Sequence, residues 1–221
     1  MTLVLLRRLF LVATPLALAV VLWFHPPGGE DVYEGVRGDV GAWLFVHTGF
    51  LLLTPLLAIA AYVLLGSLKS RAATVSRVAL IFFLVFYTAY EVTVGVGTGI
   101  LVDYANGLPA GEQAVVADAI QDYNRNWILS DPSLSFVLGT LGWVVAMVAA
   151  AVAFRRAGAG WLVTLLVGFA ALFAVHPPPV GPVALLCFAA AAALIERARA
   201  RDARALALPE PGGVEPGGTA S

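Results

Sequence analysis

The chain has 221 residues, 60% hydrophobic and 12% charged, with a formal net charge of -1 and a mean hydropathy of +0.89. Soluble domains carry about 25% charged residues, so this composition excludes an ordinary soluble enzyme. Nucleic-acid binding is excluded too, because the basic residues flank apolar runs and form no basic-aromatic surface.

A helix needs about 17–25 mostly apolar residues to cross a bilayer. Six such runs are present, at 3–24, 41–66, 76–102, 133–154, 157–175 and 180–195, the last two short enough for a tight hairpin. Open strands cannot satisfy their backbone in lipid, and the alternation of a barrel is absent. The predicted fold is therefore all-α: an integral membrane bundle of six transmembrane helices over residues 1–205, with one extracytoplasmic amphipathic helix and both termini cytoplasmic. Pro209 to Ser221 is rich in Pro and Gly, so 206–221 reads as a disordered tail.

In the first run, Arg7-Arg8 and Ala17-Leu18-Ala19 imitate a signal peptide, but apolar residues continue to Phe24, so the run reads as a retained span. Pro15, and Thr54-Pro55 in the second run, are expected kinks. The connection 25–40 is short and acidic and opens with His25-Pro26-Pro27. Gly66–Ala73 is a short hairpin connection. The third run holds Glu91 near its middle, on a face with Thr88, Gly95 and Thr98, and Gly95 and Gly99 form a small-xxx-small pair for close helix approach. Pro109 to Trp127 alternates small apolar and acidic residues and reads as the amphipathic helix, at 109–127. Asp131-Pro132 fits an N-cap and first helical residue for the fourth span. Arg155–Gly160 is a second hairpin connection. The fifth run ends in His176-Pro177-Pro178-Pro179, a stiff turn that cannot continue a helix. The single Cys187 excludes an internal disulfide and reads as a small buried hydrophobe.

Basic residues set the expected orientation. Arg7, Arg8, Lys69, Arg71, Arg77, Arg155, Arg156, Arg197, Arg199, Arg201 and Arg204 fall on one side, and only Arg37 and Arg125 on the other. This is the positive-inside pattern. The outer face is then acidic, with Glu30, Asp31, Glu34, Asp39, Asp103, Glu112, Asp118, Asp122 and Asp131, and it favours cations. The Ala, Gly and Arg bias fits the plasma membrane of a bacterium with a GC-rich genome.

All three histidines come out on the outer side. His25 and His176 end the first and fifth spans, in segments that align as a faint repeat, and His47 lies about 9 Å into the second. Helical side chains tilt toward the N-terminus, so the outward-running spans aim His25 and His176 down and the inward-running span aims His47 up. The three are a candidate metal set, with Asp103 as a fourth or outer-shell group. Zinc and copper suit such a set, or haem if two imidazoles bind axially. Capping of helix ends is the competing reading for His25 and His176. Glu91 is the second candidate, since an ionisable residue at midspan marks function. It serves as general base in an enzyme or as midplane site in a transporter or channel. Depth places it about 6 Å below His47, leaning away, with a water or tyrosine between.

The functional expectation is a multi-pass bacterial plasma-membrane protein. Its outward-facing polar pocket of His25, His47, His176 and Glu91 binds a metal ion, haem or small ligand. A transporter or channel, and a non-catalytic subunit of a membrane complex, are the alternatives. The expected partners are the bilayer, a cation or small ligand from outside, and in the last case another membrane subunit.

Overall fold

The computed structural model describes residues 3–27, 29, 31–128 and 133–206. Among them all regular structure is helical, with no strand. We label the helices α1 (Leu3–Trp23), α2 (Val32–Arg37), α3 (Val40–Leu65), α4 (Arg71–Asn106), α5 (Ala110–Asn124), α6 (Leu134–Arg156), α7 (Trp161–Ala174) and α8 (Val180–Leu206). Five of these are long and apolar enough to cross a membrane: α1, α3, α4, α6 and α8. Their outward faces carry large apolar side chains, among them Leu9, Leu16 and Val20 on α1 and Val78, Ile81, Phe82 and Val85 on α4. A helix apolar both inside and outside the bundle is matched to lipid rather than water.

The fifth predicted run is shorter than expected. Within α7, Trp161–Phe169 is α-helical and Ala170–Ala174 tightens to a 3-10 turn. Together they rise about 24 Å, less than the ~30 Å hydrocarbon core. The tightening has a local partner. Trp143 Nε1 of α6 donates to the Ala170 carbonyl at 2.8 Å, at the point where the winding changes.

The core is aromatic. Trp143 packs against Phe83 with ring centroids 4.9 Å apart, against Phe173 at 5.5 Å and against Phe188 at 6.1 Å, and Phe50 reaches Phe173 at 6.2 Å. Close approach of α4 and α6 rests on Gly139 and Gly142, where an added Cβ would come within 2.7 Å of the Tyr87 nitrogen and 2.6 Å of the Phe83 nitrogen. Helices α1 and α8 run antiparallel. Leu22 and His176 crowd Gly181 at one end, and Arg7 bonds Glu196 at the other.

The expected kinking prolines, Pro15 and Pro55, lie inside continuous helices, and Thr54 Oγ1 donates to the Phe50 carbonyl at 2.7 Å. Helix α6 begins at Leu134 with Ser133 as its N-cap, accepting from the Phe136 N–H. The expected cap, Asp131-Pro132, lies outside the described residues, as does the tail 207–221. The connection 25–40 holds the unpredicted helix α2, capped by the Asp31 carboxylate. Cys187 is half-buried.

The predicted amphipathic helix is present as α5, at Ala110–Asn124, but its apolar face is narrow. Ile120 is its buried residue, while Val115 is 70% exposed. Polar bonds hold it instead. Gln121 accepts from the Val32 N–H at 3.0 Å, and Thr98 Oγ1 donates to Asn124 at 3.2 Å. Tyr33 donates to Asn106 at 3.0 Å, tying α2 to α4. Ile120, Tyr33, Val36, Val102 and Ala105 form a small second core that includes Trp43 of α3.

Candidate functional site: a buried histidine and glutamate cluster

Helix α3 presents Trp43, Val46, His47, Phe50 and Thr54 to the interior. Their spacing of three and four is one face of a helix. His47 is 3% exposed, and facing it on α4 is Glu91, 0% exposed. The two are bonded directly, Nδ1 to Oε2, at 2.8 Å. The expectation of a water or tyrosine between them is corrected, and the reason lies in α4. Phe83–Tyr87 and Glu91–Gly97 are wound as π-helix. The i→i+5 turn widens the helix and redirects the side chains that follow it. Gly95 then lets α3 close in, since a Cβ there would sit 2.5 Å from His47 Nδ1.

Wide turns alter the carbonyl partners along α4. Trp43 Nε1 donates to the Gly95 carbonyl at 2.7 Å, and Tyr123 of α5 donates to the Thr93 carbonyl at 3.0 Å. Burial raises the Tyr123 pKa, which keeps that hydroxyl a donor. Trp43 also covers the His47 ring, with centroids 4.3 Å apart. Trp43, Phe50 and Tyr123 were not singled out for these roles from the sequence. The i, i+4 spacing of Trp43 and His47 and the i, i+3 spacing of His47 and Phe50 are the signals that place these rings together.

His25 follows the end of α1 and donates from Nδ1 to the Pro26 carbonyl at 2.7 Å. Its ring lies 5.2 Å from that of His47 and 5.2 Å from that of His176. The predicted convergence of the three rings is therefore present, with Phe50 against all of them at 5.8–6.5 Å. Asp103 lies on the exposed side of α4 and makes no bond to a histidine. Among the described residues, no group of three or more His, Cys, Asp or Glu side chains is arranged to hold a metal ion.

Hydrogen bonds orient two of the rings. A carbonyl can only accept, so His25 carries its proton on Nδ1. Facing Glu91 as a carboxylate, which can only accept, the His47 ring donates from Nδ1. In both rings Nε2 is buried and without a protein partner. Glu91 Oε1 and Thr88 Oγ1 are likewise buried without a partner. Each such group costs about 1–3 kcal/mol when no donor or cation meets it.

The chain matches no known protein family, no curated protein and no solved structure.

Proposed function

We propose that this chain is a multi-pass bacterial plasma-membrane protein, crossing the bilayer six times with α7 as the short sixth span, and that it binds a first-row transition-metal ion on its extracytoplasmic side. His25 and His47 supply Nε2, His176 stands beside them as the third imidazole, and Glu91 orients and polarises His47 from behind. The observation that carries this reading is the pair of fixed, buried and unpartnered Nε2 atoms on rings 5.2 Å apart. Two imidazoles on one tetrahedral ion, at metal–nitrogen distances of about 2.0–2.1 Å, have ring centroids about 5 Å apart. A carboxylate on the far nitrogen of a metal-binding histidine is the usual outer-shell arrangement.

A haem fits less well. It needs a slot as broad as the macrocycle between its axial imidazoles, and Trp43 packs against both His25 and His47, at 5.8 and 4.3 Å. Glu91 touches His47, so its part here is positioning rather than general-base chemistry. One observation favours a second reading. The unpartnered Glu91 Oε1 beside the wide-turn segment fits a midspan cation or proton site in a transporter.

Metal analysis of protein purified without chelator tests the proposal. About one zinc or copper ion per chain is expected, lost in His25→Ala and in His47→Ala. Protein that folds, takes up no ion after incubation with either metal and is unchanged by both substitutions refutes it.

A further inference from the structure

At the end of the bundle opposite the histidines, α1 and α8 enclose a second polar cluster that belongs to no part of the histidine site. Glu196 is 2% exposed. Its carboxylate accepts from Arg7 at 2.6 Å and from Arg199 at 2.8 Å, and Arg199 also donates to the Leu64 carbonyl at 2.7 Å. Its negative charge is thus taken up within the protein. Beside it opens a cleft of about 400 Å³ bordered by Arg8, Arg197 and Arg204.

These three arginines are positive charge in surplus. Arg197 and Arg204 make no hydrogen bond or ion pair with any described residue. Arg8 approaches Glu196 only at 3.8 Å, and its Nε is buried with no hydrogen-bond partner. The helix spacing explains the cleft. Ala193, Arg197, Ala200 and Arg204 recur at four, three and four residues along one face of α8 and meet Arg8 and Val12 of α1. The two alanines leave open the room a longer side chain would fill. The surface runs about 17 Å along α8, apolar at Val12 and Ala193 and cationic beyond.

We infer that this cleft binds the phosphodiester headgroup of an anionic phospholipid, with Arg8, Arg197 and Arg204 on the phosphate oxygens and the start of an acyl chain against Val12 and Ala193. Guanidinium forks match phosphate oxygens, and basic pockets between membrane helices are where such headgroups seat. A free phosphate would share the arginines but would leave the apolar half of the cleft unused.

The test uses the full chain in a neutral detergent, with thermal unfolding and native mass spectrometry as readouts. Phosphatidylglycerol is compared with phosphatidylcholine and with inorganic phosphate. The expected result is a phosphatidylglycerol adduct that survives delipidation, a higher melting temperature with that lipid alone, and about tenfold weaker retention in Arg197→Gln/Arg204→Gln. Both positions are exposed, so the variant should melt as the parent does in phosphatidylcholine. Equal effects of the two lipids, or undiminished retention in the variant, overturn the site. Inorganic phosphate reproducing the full effect overturns the lipid as its occupant.

Discussion

Gly95→Ala isolates the contact on which the histidine site depends. The new Cβ would lie 2.5 Å from His47 Nδ1 and 2.8 Å from Glu91 Oε2, where ordinary contact begins near 3.4 Å. Both groups must retreat, the imidazole by about 0.9 Å and the carboxylate oxygen by about 0.6 Å, which stretches their 2.8 Å bond to about 3.6 Å, beyond hydrogen-bond range. A hydrogen bond to a charged group contributes about 1.5–3 kcal/mol, and breaking a buried pair removes 3–5 kcal/mol. A loss of about 3 kcal/mol is therefore expected, or two powers of ten in the folding equilibrium, together with weaker metal binding. Alanine's better helix propensity returns at most about 1 kcal/mol. Reversible unfolding in mixed detergent micelles measures the first quantity. The cause is checked in a His47→Ala background, where the ring is gone and Gly95→Ala should lose less than about 0.5 kcal/mol. A single Gly95→Ala variant as stable as the parent refutes the packing, and an undiminished loss in the double variant refutes its assignment to His47.

Other perturbations separate the parts. Glu91→Gln keeps an acceptor for His47 Nδ1 and should be milder than Glu91→Leu, which orphans a buried N–H at about 1–3 kcal/mol. Zinc affinity measured by calorimetry should fall 10–100-fold in the leucine variant, as for other outer-shell carboxylates. Trp43→Phe removes the donor to the buried Gly95 carbonyl and should destabilise by about 1–2 kcal/mol, whereas Tyr123→Phe, at the rim, should lose about 0.5–1.5 kcal/mol in the same unfolding assay. Glu196→Ala should lose only about 1–2 kcal/mol despite its burial, because Arg7 and Arg199 are 43% and 31% exposed and can regain water.

Much of this architecture was legible because lipid imposes strict length and polarity rules on helices. The apolar runs gave the long helices, and the His-Pro-Pro phrases gave the ends of α1 and α7. Side-chain tilt brought His25, His47 and His176 to one level. The direct His47–Glu91 bond was not legible. It depends on the wide turns of α4, which no periodicity announces, and on how closely Gly95 lets α3 approach. The Gly95 and Gly99 pair was visible as a close-packing face, but its partner was not. The short reach of α7 also escaped, since hydrophobicity does not report the winding of Ala170–Ala174. Asp103 resembled a ligand by depth alone. It lies on the opposite side of α4 from Val102 and Ala105, which face the interior. The burial of Glu196 was not legible either, since it stands among arginines in sequence and only the packing of α8 on α1 leaves it 2% exposed.

The central claim is that His25 and His47 hold two bare Nε2 atoms ready for an ion. Nitrogen NMR of protein labelled at histidine, recorded without metal and after one equivalent of zinc, reads this directly. The account predicts Nδ1–H tautomers with unprotonated Nε2 for both residues, and a shift of both Nε2 signals on zinc addition that Glu91→Leu attenuates. A proton on Nε2 of either ring in the metal-free protein, or Nε2 signals that ignore zinc, would contradict it.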